Sequence, residues 1–327
     1  MGKNRESAKR RQDERIKFYN MFAKLALPLG MAIGFLGSPV LCKFSFLTTY
    51  LLFIMLFLSF VGAGVTLRSL KPTSLHIKLL AAQLTASPAV YLCLQFADKT
   101  AAEAIAICVI CPTAVASAVI TGRLGGSVSG VASYTVLSNG LIAVVAPVVF
   151  PLIEPLPNLD FAAAFFLILA KIFCLLIAPL ICAAALRRFA PKFNDRVRKI
   201  SFASFYVWAL SLVLLTAQIA DAVFNARGLL CLEIAIAVAA FVLCLLQFGA
   251  GRLIGKKYND SVTAGQALGQ KNTIFALWMA SEYLQPLAAL GPGCYMIWQN
   301  IINALQIFRK AKAEEASYAN AEKDGGI

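Results

Sequence analysis

A lysine and an asparagine interrupt an apolar stretch in the segment GQALGQKNTIFAL (265–277). Lys271 and Asn272 lie near the middle of the apolar run 262–284. Placing one charge at the centre of a bilayer costs about 2.5–3.5 kcal/mol on insertion scales, so an ionisable residue at that depth indicates function. The ammonium group can hold a fixed positive charge, exchange a proton, act as a nucleophile, or only fix a contact between helices.

The composition places the chain in a membrane. Of its 327 residues, 60% are hydrophobic and 14% are charged, and the mean hydropathy is +0.76. Soluble domains contain about 45–50% apolar and about 25% charged residues. The formal charge of +14 would suggest nucleic acid in a soluble protein, but the basic residues collect at the ends of apolar runs. We therefore expect a lipid bilayer as partner and no nucleic acid. The nine cysteines match no zinc spacing, and we expect no metal and no cofactor.

Apolar runs long enough to cross a bilayer as helices recur along the whole chain. About 20 mostly apolar residues span the hydrocarbon core. The predicted spans are 19–37, 46–67, 76–97, 101–121, 127–152, 160–186, 199–220, 228–250, 261–284 and 291–308. The expected fold class is an all-α membrane protein with ten transmembrane helices.

Lysines and arginines indicate the orientation of these spans. With alternate loops on opposite sides, 24 of them lie on the side of both termini, three on the other side and three within spans. The sequence thus predicts a multi-pass inner (plasma) membrane protein with both termini in the cytoplasm. The predicted division is a basic cytoplasmic tail (1–18), a first five-helix repeat (19–152), a second five-helix repeat (153–308) and a cytoplasmic tail (309–327).

Two interruptions at corresponding positions indicate an inverted repeat. The fourth span contains ICPTAVASAV (110–119) and the ninth contains GQKNTIFA (269–276), each a small and polar break in an apolar helix. The third and eighth spans likewise carry amides, Gln83 and Gln247. Paired breaks favour a shared binding site near the midplane. The alternative is two weakened helices that are packed by small residues.

Five segments, in order, resemble the bile acid:sodium symporter family. They are GAGVTLRSLKP (62–72), AAQLTASPA (81–89), ICPTAVASAVITGRLGGSVSGVASYTVLSNGL (110–141), GQKNTIFAL (269–277) and MIWQN (296–300). The resemblance implies two inverted five-helix repeats in a core and a panel domain, with a crossover of broken helices four and nine. It also implies a secondary transporter of an organic anion, bile-acid-like or a small carboxylate, usually carried inward with sodium. Auxin efflux carriers share this architecture, so the fold does not fix the direction of transport.

The sodium site that the resemblance implies is incomplete in this sequence. Four family positions are retained: Ser117 on the fourth helix, Thr135 on the fifth, Gln83 on the third and the crossover Asn272. Four are replaced: Ala118 stands for Asn, Val131 for a hydroxyl residue, Ala267 for Glu and Lys271 for Gln. Hard cations need oxygen ligands, and a carboxylate among them offsets the charge. We therefore expect the sodium site to be lost.

Lys271 places a cation where the family binds sodium, and two mechanisms follow. One is sodium-independent transport with a fixed charge, and the other is coupling to proton loss and gain. We expect the ammonium at the C-terminal carbonyls of the first half of the ninth helix, with Gln83, Thr135 and Ser117 as further acceptors. Lys171, in the middle of the sixth span, is expected to be buried with a partner that the sequence does not reveal.

The candidate substrate and coupling site consists of eight residues: Lys271, Asn272, Gln83, Ser117, Thr135, Thr113, Gln299 and Asn300. Such amides and hydroxyls can equally hold membrane helices together, and Gln299 and Asn300 either line the substrate path or cap contacts of the tenth helix. Alternatives to a sodium-independent transporter are a sodium-coupled symporter with a reduced site, and a channel or sensor on the same fold. An enzyme with Lys271 as a Schiff-base residue is not expected, because no acid, metal cluster or phosphate loop accompanies it and His76 falls in a predicted cytoplasmic loop.

Overall fold

The computed structural model describes residues 28–63, 72–225 and 229–324, with side chains up to residue 313. Within these ranges the chain forms helices and no β-strand. Some sequence predictions lie outside the described residues: the tail 1–18, the start of the first span, most of the GAGVTLRSLKP segment and Arg227.

Helices follow one another with short connections along the described residues. They are α1 (28–36), α2 (Ser38–Leu41), α3 (Leu47–Ala63), α4 (Ser74–Leu94), α5 (Lys99–Ile110), α6 (Ser117–Arg123), α7 (Val128–Ile153), α8 (Phe161–Ile172), α9 (Ala178–Phe189), α10 (Pro191–Lys199), α11 (Ala203–Asn225), α12 (Leu230–Lys256), α13 (Ser261–Gly269), α14 (Thr273–Tyr283) and α15 (Leu290–Asp324). A π-helical turn, Phe173–Ile177, joins α8 to α9, and a 3₁₀ turn, Pro286–Ala289, precedes α15.

Among the described residues, five helices are long and apolar enough to cross a membrane by length and composition: α4, α7, the continuous helix Phe161–Phe189, α11 and α12. A sixth is added if Ser38–Phe44 and Leu47–Gly62, bent by 69° to each other, form one span. The predicted spans 101–121 and 261–284 are each divided into two shorter helices at the interruptions that the sequence contains. α15 continues past the predicted end of its span, so residues 309–324 of the predicted tail are helical.

Side chains that accept backbone N–H groups mark where four helices begin. Asp98 caps α5, Ser127 caps α7 and Asp160 caps α8. Thr73 caps α4 in a capping box, in which the Thr73 N–H donates to Nδ1 of His76 at 3.2 Å. His76 is therefore buried in the first turn of α4. The sequence placed His76 both at the first residue of the span 76–97 and in a cytoplasmic loop; the loop position was wrong, because the capping box holds His76 in the helix.

The interrupted helices lie in the interior of the bundle. All residues from Ala102 to Ile110 in α5 and from Thr273 to Ala280 in α14 are buried. A helix that is apolar and buried all round belongs to a core and not to a surface. α5 packs against α4, α12 and α15, and α13 packs along α12, whereas α3 packs mainly against α9 and α11.

Glycines bring α12 and α13 into close contact. A Cβ atom on Gly269 would overlap the ring of Phe248, and one on Gly251 would overlap the carbonyl of Ala264. Small residues permit this approach of helix backbones in membranes. The contact holds the end of α13, and the extended residues that follow it, against a long continuous helix.

Candidate functional site

The non-helical segments 111–116 and 270–272 separate the halves of the two interrupted helices. They meet where Thr113 and Lys271 form an isolated antiparallel β-bridge. Thr113 is fully buried and Lys271 is 1% exposed. The crossing of the two segments is thus enclosed by the surrounding helices.

Backbone hydrogen bonds hold the two segments together on both sides of the bridge. The Asn272 N–H donates to the Pro112 carbonyl at 2.8 Å, and the Ala114 N–H donates to the Gln270 carbonyl at 3.1 Å. Pro112 has no N–H to continue the helix of α5, which explains why α5 ends there. The side chain of Asn272 caps α14, accepting the Phe275 N–H at 3.4 Å. Backbone groups freed by the two breaks are therefore satisfied across the crossing, as non-helical backbone at membrane depth requires.

Lys271 is held at both its backbone and its side chain. Its N–H donates to Oε1 of Gln299 at 2.9 Å, and Nε2 of Gln299 donates to its carbonyl at 3.2 Å. Its ammonium Nζ donates to the Val109 carbonyl at 2.9 Å. In the part of the chain that the structure describes, no acidic side chain forms an ion pair with Lys271. The positive charge is thus balanced by backbone dipoles and not by a carboxylate.

The carbonyl groups at the C-terminal end of α5 accept from the C-cap N–H of α5 itself and from three side chains of other segments. Their donors are the Cys111 N–H for Ile107, Nε2 of Gln247 for Cys108, Nζ of Lys271 for Val109, and Nε2 of Gln83 for Ile110 and Cys111. A helix end leaves its last carbonyls without intrahelical partners and carries a partial negative charge. Lys271 therefore lies where a helix end stabilises a cation.

The acceptors expected for Lys271 are not the ones that the structure shows. The ammonium was expected at the end of the first half of the ninth helix, but it reaches the end of α5, because the antiparallel crossing points it toward the other interrupted helix. Gln83 donates to carbonyls at the same helix end, and its Oε1 accepts from Tyr134 instead of from Lys271. Oγ1 of Thr135 donates to the Val131 carbonyl of its own helix at 2.9 Å. Oγ of Ser117 has no hydrogen-bond partner among the described residues.

The C-terminal end of α13 has a different set of donors. The hydroxyl of Tyr295 donates to the Gly269 carbonyl at 2.8 Å. Oγ1 of Thr113 donates to the Ala267 carbonyl at 2.5 Å. Both donors are neutral, so a charged group caps α5 whereas hydroxyl groups cap α13.

Matching contacts surround the two helix ends. Gln83 accepts from the hydroxyl of Tyr134 at 2.9 Å, and Gln247 donates to the hydroxyl of Tyr295 at 3.1 Å. Oγ of Ser138 accepts the Thr113 N–H at 3.2 Å, just as Gln299 accepts that of Lys271 at 2.9 Å. Asn139 and Asn300 each donate to the carbonyl four residues earlier, both at 2.7 Å.

Sequence reasoning missed the roles of Tyr134, Ser138 and Tyr295. A signal was present, because YTVLSN (134–139) and YMIWQN (295–300) share a tyrosine and an asparagine at the same spacing. Their second-last residues, Ser138 and Gln299, both accept a backbone N–H from the crossing. An alignment of the two halves would have found this pair.

The structure brings five of the eight predicted site residues into one network: Lys271, Asn272, Thr113, Gln83 and Gln299. Ser117 and Thr135 are buried on helices that flank the crossing, without a hydrogen bond to Lys271. Asn300 is exposed and bonds to its own helix. The network therefore contains fewer of the candidate residues than the sequence predicted.

Lys271 supplies a charged side chain at the crossing. Within the described residues, no group of three His, Cys, Asp or Glu side chains could hold a metal ion. Ala267 contributes only its carbonyl, which already accepts from Thr113. An ammonium group has three N–H donors, and the described protein groups accept one of those of Lys271.

Two interrupted helices that cross at buried polar residues inside an apolar helical bundle define a class of protein, the secondary transporters. The chain belongs to the sodium bile acid symporter family, whose family model matches residues 47–226. A comparison with curated proteins returned no significant match. Membership of the family confirms the predicted resemblance and the predictions of a membrane-embedded, multi-pass transport protein. The match covers the first interrupted helix and ends before the second, which carries Lys271.

Proposed function

We propose that the chain is a secondary transporter of a small organic anion, bile-acid-like or a small carboxylate, and that it works without sodium. The observation that carries the proposal is the buried ammonium of Lys271, which has a carbonyl acceptor and no acidic partner among the described residues. A buried charge without a counter-ion is costly. Binding of an anion offsets this cost, so Lys271 supplies the positive charge at the crossing.

The architecture that we propose has ten transmembrane helices in two inverted repeats, 19–152 and 153–308, with a core and a panel domain. The recurring contacts at the ends of α5 and α13 support the repeat. In each half a glutamine from one helix and a tyrosine from another bind each other: Gln83 with Tyr134, and Gln247 with Tyr295. Alternating access then moves one domain against the other around the crossing.

Lys271 permits two modes of transport, and neither requires sodium. In the first, the ammonium keeps its charge and the substrate moves down its own gradient. In the second, Lys271 releases its proton in one state and regains it in another, because leaving water disfavours the charged form of a lysine. Proton exchange at Lys271 would then couple transport to a pH gradient.

A sodium-coupled symporter with a reduced site is the second candidate function. The observation in its favour is Ser117, whose buried hydroxyl has no hydrogen-bond partner in the structure and is free to bind a cation. Ala267 at the family's Glu position makes sodium coupling less favourable. Sodium would have to bind beside the ammonium group of Lys271 with no carboxylate ligand from this position.

We propose that the protein lies in the inner (plasma) membrane with both termini in the cytoplasm. The unequal distribution of lysine and arginine supports it. Reporter fusions after residue 327 and within 187–199 should both give cytoplasmic signals. A signal from the opposite side at either position would remove the ten-helix arrangement.

Transport by purified protein in proteoliposomes tests the proposed function. A thermal-shift screen against organic anions identifies a ligand, and counterflow of that ligand distinguishes a carrier from a channel or sensor. Asn272→Ala and Gln83→Ala each leave buried backbone groups unpaired, which costs about 1–3 kcal/mol, so we expect a loss of uptake of about tenfold. Asn225→Ala is the control, because Asn225 is exposed at the end of α11 and belongs to no proposed site. Normal uptake by both variants would show that the crossing is not the binding site.

A further inference from the structure

A cavity that shares no lining residue with the crossing lies where α3, α9 and α10 meet. Its volume is about 230 Å³. Arg187 from α9 and Arg198 from α10 line it together with Asn194. The buried side chains of Phe60 and Val61 from α3 form its apolar side. Charged donors and an apolar wall thus face one another in the same small cavity.

The charges around this cavity favour a singly charged anion. The segment 187–199 contains six lysines and arginines and one acidic residue, Asp195. Asp195 lines the cavity with Arg187 and Arg198, so its lining carries a net charge of +1. Guanidinium groups match the geometry of phosphate oxygens, which they bind through two parallel N–H groups. A phosphate diester carries one negative charge and fits this balance better than a doubly charged phosphate.

The segment 189–202, which contains α10 beside the cavity, has the character of an element that lies in a membrane interface. Large apolar side chains next to its basic residues are exposed: Phe189 is 82%, Phe193 is 55%, Ile200 is 53% and Phe202 is 58% exposed. Exposed aromatic and aliphatic side chains that alternate with lysine and arginine are typical of helices at the level of lipid headgroups. The cavity is therefore at the depth where headgroup phosphates are found.

We propose that this cavity binds the phosphate diester of an anionic phospholipid, with Arg187 and Arg198 as the phosphate donors. The apolar wall formed by Phe60 and Val61 accommodates the glycerol and the first carbons of the acyl chains. Basic pockets between membrane helices on the positively charged side bind anionic headgroups in this way. Because the lipid would contact α3, α9 and α10 at once, its binding stabilises their relative position.

Native mass spectrometry of the full chain in detergent, with phosphatidylglycerol, phosphatidylcholine or inorganic phosphate added, tests the proposal. We expect retained phosphatidylglycerol adducts and few phosphatidylcholine adducts on the wild type. The double variant Arg187→Gln with Arg198→Gln should lose at least about tenfold in phosphatidylglycerol affinity. The matched control, Arg188→Gln with Arg196→Gln, removes the same charge from outside the cavity and should bind like the wild type.

The outcomes distinguish a specific lipid site in the cavity from general attraction of anionic lipid by surface charge. Equal losses in the two double variants would overturn the proposal, because the attraction would then be general. Retention of phosphatidylcholine as well as phosphatidylglycerol, or displacement of the lipid by inorganic phosphate at low concentration, would also overturn it. If the first double variant does not stay monodisperse, the single variant Arg198→Gln is compared with Arg196→Gln, and the same order of affinities is expected.

Discussion

Two lysines lie within apolar runs of this transporter, and their surroundings differ. Lys271 is 1% exposed and donates to the carbonyl of Val109. The side chain of Lys171, on α8, is 43% exposed and forms an ion pair with Glu282. Its Nζ lies 5.9 Å from the centre of the Tyr283 ring. A carboxylate thus neutralises the charge of Lys171, whereas among the described residues the dipoles of a helix end stabilise that of Lys271.

The difference indicates which lysine is available to a substrate. An anion that approached Lys171 would have to compete with Glu282, which already occupies the cation. An anion that approached Lys271 would meet a positive charge without an acidic partner among the described residues. The proposed function therefore assigns the substrate's counter-charge to Lys271 and not to Lys171.

Removal of the Lys271 side chain is expected to have the largest effect. Lys271→Leu eliminates the charge at the crossing and leaves the Val109 carbonyl without its donor. A buried polar group without a partner costs about 1–3 kcal/mol, so uptake should fall by about tenfold or more. The matched variant Lys171→Leu should keep most of the wild-type rate. Equal losses of uptake in the two variants would remove the distinction between the two lysines.

Arginine in place of Lys271 is expected to have a selective effect. The guanidinium group stays charged, whereas a buried ammonium group can release its proton. If proton exchange at Lys271 couples transport, Lys271→Arg should retain ligand binding in a thermal-shift assay and lose the response of uptake to a pH gradient. If uptake by the wild type does not respond to a pH gradient, the fixed-charge mode is the one that remains. A pH response that persists in Lys271→Arg would assign proton exchange to another group.

The ion pair of Lys171 is expected to have a smaller effect, on stability. Both side chains are more than one third exposed, and pairs of this kind contribute up to about 1 kcal/mol. Glu282→Gln should lower the melting temperature slightly, because it leaves Lys171 without a counter-ion. The double variant Lys171→Leu with Glu282→Gln should restore most of the loss. Additive losses in the two single variants and the double variant would show that the two residues are not coupled.

The sequence predicted the interrupted helices and some of the residues that meet at them. Pro112 predicted the break between α5 and α6, because proline has no N–H to continue a helix, and a break at membrane depth needs a neighbour to satisfy the backbone. Lys271, Asn272 and Gln83 were found because polar side chains are rare at that depth. These inferences depend on local composition, which a single sequence contains.

Contacts between distant parts of the chain could not be predicted in the same way. Lys271 binds Val109 because two extended segments cross antiparallel, and an amino-acid pattern does not give the direction in which a side chain leaves such a crossing. Lys171 was expected to be buried without a known partner, but its partner Glu282 lies in another helix more than a hundred residues away. The second half of the fold therefore determines the environment of each lysine.

Sodium replacement is the most direct test of the central claim that Lys271 takes the place of a sodium ion. Uptake of the identified anion into proteoliposomes is measured with sodium, potassium or choline as the only external monovalent cation. We predict equal rates in the three media, because Ala267 offers no carboxylate and the ammonium of Lys271 repels a second cation at the crossing. Stimulation of the wild type by sodium of about tenfold or more, worth about 1.4 kcal/mol, would contradict the account. It would show that Ser117 and backbone carbonyls bind sodium beside the lysine.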